Sequence, residues 1–333
     1  MRRLPAEFEQ QSFVQLIFPH TKSDWVPYLK EASATFVQIA HAIARFEPCL
    51  IICDDIERVR SYFGAYDNLY FIQYQSDDTW ARDCSGITVE IDKKATILDF
   101  TFNGWGGKFD SEHDNAMTSA ISFSYDSAIQ KINFVLEGGG IESNGDGALL
   151  TTSQCLQNSN RNGTFSSKEI ERELKKQFDL HTVHWLHHGY LAGDDTDSHI
   201  DTLARFIDTN TIMYLQCQDK NDEHFESLSL MEEELKALQN KAGKPYGLIA
   251  LPMSEAIYFE GERLPATYAN FLMVNGAVLV PTYRDPKDEK VLEIFRTTFP
   301  KKEIIGIDCS ILIRQHGSLH CVTMQFPVSV RLT

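Results

Sequence analysis

The sequence predicts an α/β fold in which residues 1–333 form one catalytic domain built from about five repeats of strand, strand, helix and strand. Three observations predict it. Pairs of apolar segments joined by short polar turns recur along the chain, an amphipathic helix-sized segment follows most pairs, and a short apolar segment follows most helices. No linker rich in proline, glycine or serine divides the chain. Repeats of this kind favour a radial arrangement with the hairpins starting near a common axis.

Four hairpins are predicted from alternating apolar residues on either side of a turn, at 86–100, 139–152, 201–216 and 269–283. The last turns at Asn275–Gly276, which is a strong hairpin dipeptide. The strand-like segments 12–20 and 318–326 lie near the two chain ends and have no local partner. We therefore expect them to pair with each other and so to close a ring.

Helices are predicted between the hairpins, where apolar residues recur three and four positions apart, at 24–46, 166–178, 222–243 and 285–300. Asp24 is expected to cap the first helix, with Pro27 in its first turn. Short apolar strands follow these helices at 49–53, 181–186, 246–251 and 303–307. The order of elements therefore repeats along the chain.

Composition and charge exclude several classes of protein. The net charge of −16 disfavours nucleic acid as a partner, because nothing offsets repulsion by phosphates. No apolar run approaches the roughly 18 residues of a membrane span, and no export signal is predicted. The seven scattered cysteines indicate reduced thiols and a cytoplasmic protein. The oligomeric state, including a homo-oligomer, stays open.

Reactive side chains lie at the start of the predicted hairpins and in the last strand, namely Asp83, Glu137, His199, Asp201, Asn270 and Cys321. In a radial fold, equivalent positions of successive repeats meet near the axis. His199 and Asp201 are two residues apart, so on a strand their side chains share one face. We therefore expect a thiol, an imidazole and several carboxylates to converge in one pocket, although they are far apart in sequence.

This set of residues has a chemical logic. Cysteine attacks as a thiolate, and a nearby histidinium lowers the pKa of the thiol. Histidine can also protonate a departing amine and then activate water. The extra carboxylates suit a planar cation with several N–H donors, such as a guanidinium. Taken alone, Cys321 is more typical of a buried packing thiol, and only the accompanying motifs favour a nucleophile.

Five segments carry a family resemblance: DDTWARD (77–83), EGGGIESNGDGALLTT (137–152), GDDTDSHIDTLARF (193–206), RLPATYANFLMVNGAVLVP (263–281) and GSLHCVTMQFP (317–327). With these segments in this order, the chain resembles the agmatine deiminases of the guanidino-group-modifying superfamily. That superfamily also contains arginine deiminases and a bacterial peptidylarginine deiminase. The resemblance implies a fivefold pseudosymmetric α/β-propeller, the pentein fold.

The resemblance also implies roles for the site residues. Cys321 would be the nucleophile, His199 the acid and base, Asp83 and Asp201 the guanidinium ligands, and Glu137 the acid that orients His199. Trp80 would line the pocket, and Asn270 is a further candidate for substrate binding or for hydrogen bonding within its own hairpin. The implied reaction hydrolyses agmatine to N-carbamoylputrescine and ammonia through a covalent Cys321 intermediate, with no metal and no organic cofactor.

The sequence departs from the family pattern at Ser198, where glycine is usual, and in the glycine-poor segment RQHGSLH. Free or peptidyl arginine is the alternative substrate, and its carboxylate would need a cation such as Arg205, Arg263 or Arg314. A non-catalytic propeller acting as a binding module and a metal hydrolase are further alternatives. The acidic segment 194–197 is either a solvated turn or a contact for a substrate amine.

Overall fold

The computed structural model describes residues 2–333 and contains five main sheets with one shared topology. In each main sheet two strands pair antiparallel, and one of these two also pairs in parallel with a third strand. A helix lies in sequence between the second and third strands of every sheet. The predicted repeat and the mixed α/β class are therefore confirmed.

The strands of each sheet follow in spatial order. The first sheet contains Arg2–Arg3, Ile87–Ile91, Lys94–Thr101 and Ala128–Val135. The next three contain Thr182–Leu186, Ala148–Thr152 and Ile141–Ser143; Ala204–Asp208, Thr211–Gln216 and Gly247–Pro252; and Leu272–Val274, Ala277–Thr282 and Glu303–Asp308. The last contains Thr323–Pro327, Gln11–Ile17, Cys49–Cys53 and Leu69–Gln73. A small hairpin pairs Tyr258–Phe259 with Glu262–Arg263.

The five helices that cross between sheet strands are Leu29–Ala44, Glu112–Ala120, Ser167–Phe178, Phe225–Ala237 and Asp288–Thr298. Shorter α-helical segments are Ile56–Arg60, Ala81–Cys84, Gly104–Gly107, Ser153–Leu156 and Ser159–Asn162. Turns of 3₁₀ helix span Val26–Tyr28, Ser122–Ser124, Gly138–Gly140, Ile200–Thr202 and Leu312–Gln315. No helix within residues 2–333 combines the length and the apolar character needed to cross a membrane.

The two ends of the chain pair as predicted. Thr323–Pro327 runs antiparallel to Gln11–Ile17, with Met324 opposite Gln15. Phe13 and Phe326 stack at this junction with ring centroids 4.5 Å apart. This packing buries both rings completely and joins the terminal segment, which carries Cys321, to the first strand of the core.

Two local predictions are wrong. The first helix begins at Leu29, and the residue before it is Tyr28, so Asp24 caps nothing. Pro27 lies in the 3₁₀ turn Val26–Tyr28 that precedes this helix. Asp24 instead lines a cavity.

Cys321 precedes the last strand, which begins at Thr323, instead of lying within it. The Thr323 amide donates to the His320 carbonyl (3.0 Å), which closes a turn around Cys321. His199 and Asp201 are also not on a strand, because Ile200–Thr202 is a 3₁₀ turn. The Thr202 hydroxyl holds this turn by donating to the His199 carbonyl (2.8 Å).

Candidate active site

A cavity of about 320 Å³ opens beside Cys321. Its lining is acidic and aromatic, and it contains Asp24, Asp78, Trp80, Asp83, Trp105, Phe109, Asp195, Thr196, Gln315, His316, Gly317 and Cys321. These residues come from distant parts of the sequence. Of the predicted site residues, Trp80, Asp83 and Cys321 line the cavity, whereas Glu137, His199, Asp201 and Asn270 are not among its lining residues. Among the lining residues no lysine or arginine is present, so the cavity suits a cation.

The Cys321 side chain is only 6% exposed, and its thiol donates to Asn270 Oδ1 at 3.4 Å. Asp201 Oδ2 lies 3.9 Å from the sulfur. Burial, followed by the negative charges of Asp201 and Asp83, raises the pKa of the Cys321 thiol well above its ordinary value. Both carboxylates therefore oppose ionisation of the sulfur, and a bound cation would reduce that opposition. This differs from the expectation that a histidinium alone would activate it.

Asn270 supports the turn that carries Cys321. Its side-chain oxygen also accepts from the backbone amides of His320 (2.8 Å) and Cys321 (3.3 Å). Its amide nitrogen donates to the Asp201 carbonyl (3.4 Å), which links two parts of the site. These bonds support the reading in which Asn270 positions backbone, and its contact with substrate stays a prediction.

His199 lies beside Asp83, with His199 Nδ1 3.5 Å from Asp83 Oδ1. Asp83 also accepts from the Gly139 amide (3.0 Å) and from Trp105 Nε1 (2.9 Å). Although burial by itself lowers the pKa of His199, the neighbouring Asp83 and Cys155 raise it well above its ordinary value. The imidazole is thus held in the protonated form that can donate a proton to a leaving group.

Gly139 lets three of the predicted residues meet. A Cβ atom at this position would lie 2.6 Å from His199 Nδ1, 2.8 Å from Asp83 Oδ1 and 3.2 Å from Asp201 Oδ2. No real side chain tolerates the first two distances, so only glycine allows this close approach. The glycine run after Glu137 therefore has a packing reason in the centre of the site.

Glu137 is fully buried, but its hydrogen bond goes to a residue that sequence analysis did not select. Its Oε1 accepts from Arg161 Nε at 2.8 Å, and its Oε2 has no partner among residues 2–333. Arg161 also binds Asp197 Oδ2 (2.5 Å). Glu137 stands close to His199, as shown by the cluster of Glu137, Cys155 and His199 atoms within 4.8 Å of one another. Its predicted role in orienting His199 stays a prediction.

The cluster of Glu137, Cys155 and His199 is also the set that could hold a metal ion. Carboxylate, thiolate and imidazole are the ligands that zinc prefers in proteins. Of these three residues, His199 is the predicted acid and base, and Glu137 is the acid predicted to orient it. A metal ion bound there would occupy the imidazole that the predicted chemistry needs for proton transfer.

Trp80 forms one wall of the cavity, as predicted. Its indole nitrogen donates to Asp78 Oδ2 (2.9 Å), which fixes the ring. Gly317 packs directly on that ring, where a Cβ atom would approach within 2.1 Å. Trp105 also lines the cavity and was missed by sequence analysis; its only signal was a tryptophan set among glycines at 104–107.

Acidic side chains line the rest of the cavity. Burial, together with Asp114 and Asp24, raises the pKa of Asp78 to about 7. Burial and the neighbouring Asp194 raise the pKa of Asp195 to about 6. A bound cation would stabilise the ionised form of each carboxylate, because it replaces the hydration lost on burial. Of the acidic segment 194–197, Asp195 is the member that lines the cavity.

Comparison with known proteins identifies the family of this chain. The family model described as Porphyromonas-type peptidyl-arginine deiminase matches residues 3–327. A protein of Porphyromonas gingivalis, solved under the provisional name of arginine deiminase, is 47% identical with a TM-score of 0.96, covering 99% of this chain and 100% of that one.

An agmatine deiminase of C. jejuni, solved with substrate bound, is 40% identical with a TM-score of 0.93, covering 98% of this chain and 96% of that one. The agmatine deiminase of Stutzerimonas stutzeri is 30% identical over 352 residues, covering 97% of this chain and 95% of that protein. These matches run from one end of the chain to the other. The chain therefore belongs to the Porphyromonas-type peptidyl-arginine deiminase family.

Proposed function

We propose that this protein is an agmatine deiminase, a hydrolase that converts the guanidinium of agmatine to a urea and releases ammonia. One observation carries the choice of substrate: Cys321 lines a cavity together with four carboxylates, Asp24, Asp78, Asp83 and Asp195, and a fifth, Asp201, lies 3.9 Å from its sulfur. Agmatine carries a guanidinium at one end and an ammonium at the other, so both ends match. The relatives named agmatine deiminase support the same assignment.

Arginine fits the cavity less well, because its α-carboxylate needs a cation. None of the three arginines considered for that role lines the cavity. Arg205 is fully buried against Glu142 and Glu7, and Arg263 pairs with Asp222 and Glu223.

The third candidate, Arg314, has its guanidinium over the Phe259 ring, 4.5 Å from the ring centroid. His316, which does line the cavity, uses Nδ1 to contact the Gly193 carbonyl (2.7 Å). We therefore assign free and peptidyl arginine as the poorer substrates.

In the proposed first half-reaction, Asp83 and Asp201 bind the guanidinium and place its carbon over Cys321. The bound guanidinium neutralises the charges of Asp83 and Asp201, so the Cys321 thiol loses its proton to solvent. The sulfur lone pair then forms a bond to the guanidinium carbon. His199 protonates one terminal nitrogen. The carbon–nitrogen bond breaks, ammonia leaves, and a thiouronium remains on Cys321.

In the second half-reaction, neutral His199 takes a proton from a water molecule, whose oxygen attacks the thiouronium carbon. The carbon–sulfur bond then breaks and the hydroxyl proton passes to the departing sulfur. N-carbamoylputrescine leaves, the Cys321 thiol is restored and His199 is again protonated. Glu137, beside His199, is proposed to hold the ring, and Trp80 to flank the substrate chain.

The finer description of the fold belongs to the same proposal. Five sheets of one topology support a fivefold pseudosymmetric α/β-propeller, with the cavity near its axis. One core cluster runs from Leu4 to Val330, which supports a single domain over residues 1–333. The seven cysteines are all buried free thiols, which supports a reducing, cytoplasmic environment.

We expect the purified protein to release ammonia from agmatine after exhaustive treatment with EDTA, with kcat/KM unchanged by the chelator. The proposed nucleophile and proton donor are side chains, so the reaction needs no metal. Ammonia release and N-carbamoylputrescine formation are measured together. Loss of activity on chelation, restored by zinc, would favour the metal hydrolase instead. If the protein turned over arginine but not agmatine, the substrate assignment would be reversed.

We expect Asp78→Asn to lower kcat/KM for agmatine by about tenfold or more, because a buried carboxylate that binds an ammonium contributes roughly 1.5–3 kcal/mol. The measurement compares agmatine with n-butylguanidine, which has the same guanidinium and carbon chain but no amine. Asp78 accepts from both the Trp80 indole (2.9 Å) and the Thr79 amide (2.9 Å), and Asn keeps one of these two acceptors. Any loss beyond that shared structural effect should be confined to agmatine, because n-butylguanidine has no ammonium.

The pH dependence of the same pair of substrates is the control. Asp78, with its pKa raised to about 7, loses its negative charge as pH falls. Wild-type KM for agmatine should therefore rise below pH 7 more steeply than KM for n-butylguanidine. An equal loss for both substrates in Asp78→Asn would mean that Asp78 supports the Trp80 ring and does not select the amine.

A further inference from the structure

His320, the residue immediately before the nucleophile, is held between two carboxylates. Its Nδ1 lies 2.7 Å from Asp201 Oδ2, and its Nε2 lies 2.6 Å from Glu7 Oε2. The ring is 2% exposed. Ionised carboxylates only accept hydrogen bonds, so each ring nitrogen faces an acceptor to which it can donate a proton it carries. A neutral imidazole could satisfy one of these two partners but not both.

The clamp leaves one oxygen of Asp201 free. His320 occupies Oδ2, whereas Oδ1 is buried and has no hydrogen-bond partner among residues 2–333. Because the carboxylate is anchored on one side, its plane cannot rotate freely. Oδ1 is then the Asp201 oxygen that has no protein partner and remains to accept an N–H of the guanidinium.

Glu7 holds His320 from the side away from the nucleophile. Glu7 Oε2 also accepts from Arg205 (2.8 Å), and Glu7 Oε1 accepts from the Met273 amide (2.8 Å). The cluster thus ties the N-terminal segment to the site. The buried cluster contains three carboxyl groups, two guanidinium groups and one imidazole, namely Glu7, Glu142, Asp201, Arg82, Arg205 and His320. Opposite charges placed close together reduce the cost of burying them.

The turn at 320–321 sends two consecutive side chains in different directions. Asn270 Oδ1 accepts from the amides of both His320 and Cys321, which fixes the backbone between them. The thiol then faces the cavity, while the imidazole points into the charged cluster.

We infer that His320 is a positioning residue for guanidinium recognition, fixing Asp201 with one oxygen free for substrate while Glu7 anchors the ring from behind. This inference rests on the proposed function, since it assigns His320 to the substrate-binding step of that reaction. In this assignment His320 itself makes no contact with the reacting carbon.

The test replaces His320 in two ways that differ in which contact survives. His320→Asn keeps a donor near the position of Nδ1, toward Asp201, and loses the reach to Glu7. His320→Gln reaches toward Glu7 and loses the donor to Asp201. We expect kcat/KM for agmatine to fall about 100-fold in the Gln variant and about tenfold in the Asn variant, mainly through KM, as expected for loss of a charge-assisted hydrogen bond at a binding group.

Direct binding gives a readout without chemistry. Agmatine affinity is measured by calorimetry in Cys321→Ala and in the same protein carrying His320→Gln. The second substitution should raise Kd by the same factor as it raises KM. If Cys321→Ala itself binds no agmatine, the substrate assignment fails; if it binds and the second substitution leaves Kd within about twofold, only the role of His320 fails.

The pH profile separates positioning from general support of the fold. Although burial by itself raises the pKa of Asp201, the hydrogen bond from His320 lowers it overall, with His199 and Arg205 acting in the same direction. Losing the hydrogen bond from His320 should raise the pKa of Asp201, so the acid limb of kcat/KM should move to higher pH. The other charged groups facing this site, which stay in place, are Asp83, Glu7, Glu142 and Arg82.

If both His320 variants fail to fold, as judged by circular dichroism, the Glu7→Gln variant provides the test. It removes the rear anchor but retains the shape of the side chain. We expect a smaller rise in KM and a shift of the acid limb in the same direction. A folded Glu7→Gln protein with wild-type KM and pH profile would overturn the inference, as would folded His320 variants with an unchanged acid limb.

Discussion

Cys321→Ala should lower kcat for agmatine by at least about 10⁴-fold, because removal of a nucleophile leaves only substrate binding and positioning. The cavity, with its carboxylates and aromatic walls, does not depend on the sulfur, so the variant should still bind agmatine. Steady-state kinetics measure the first effect and calorimetry the second. Full activity in this variant would overturn the proposed mechanism.

The matched control for Cys321 is a second buried cysteine that does not line the cavity. Cys217→Ser removes a thiol that contacts the Asp219 carbonyl (3.5 Å) elsewhere in the protein. We expect its kcat/KM to stay within about threefold of wild type, as for a tolerated substitution away from the site. Iodoacetamide, which alkylates thiolates, should inactivate the free wild-type enzyme only slowly, because the pKa of the Cys321 thiol is raised there. Equal loss in both variants would indicate that activity follows stability and not the nucleophile.

His199→Gln should lower kcat by about 10³-fold or more, since both half-reactions lose their proton donor or acceptor. The second half-reaction should suffer most, because water attack without a base is slow. The thiouronium should therefore accumulate on Cys321. Mass spectrometry of the protein after incubation with agmatine should show an adduct equal to agmatine less one molecule of ammonia.

Peptide mapping places the adduct, and two controls define its meaning. The adduct should lie on the peptide containing Cys321 and should be absent from His199→Gln/Cys321→Ala. An adduct on Cys155, which lies beside His199, would assign the nucleophile to a different thiol. No adduct together with near wild-type turnover would remove His199 from the mechanism.

The sequence was sufficient to predict the repeat of strands and helices. Alternation of apolar residues and the Asn275–Gly276 turn predicted the hairpins, because side-chain period and turn chemistry are local properties. The pairing of the two end segments followed from their lack of local partners. Local pattern was misleading at Asp24, where a 3₁₀ turn containing Pro27 delays the helix to Leu29.

Roles that depend on distant partners could not be predicted. Glu7 stands in an N-terminal segment with no motif, yet it anchors His320 across 313 residues of sequence. Arg161 binds Glu137, which sequence analysis had assigned to His199 alone. Such ion pairs are chosen by burial, since a charged group removed from water must find whichever opposite charge the fold places nearby.

By itself the sequence determined the repeating units, the kinds of reactive group and their order along the chain, because these depend on residue type and local periodicity. Only the tertiary structure decided which atoms meet. It placed Gly139 where three functional side chains converge, made the Cys321 thiol resist ionisation, and left one oxygen of Asp201 free. The physical reason is that burial and Coulomb interactions depend on distances between atoms in space. Those distances are set by the folded chain and not by the local sequence around each residue.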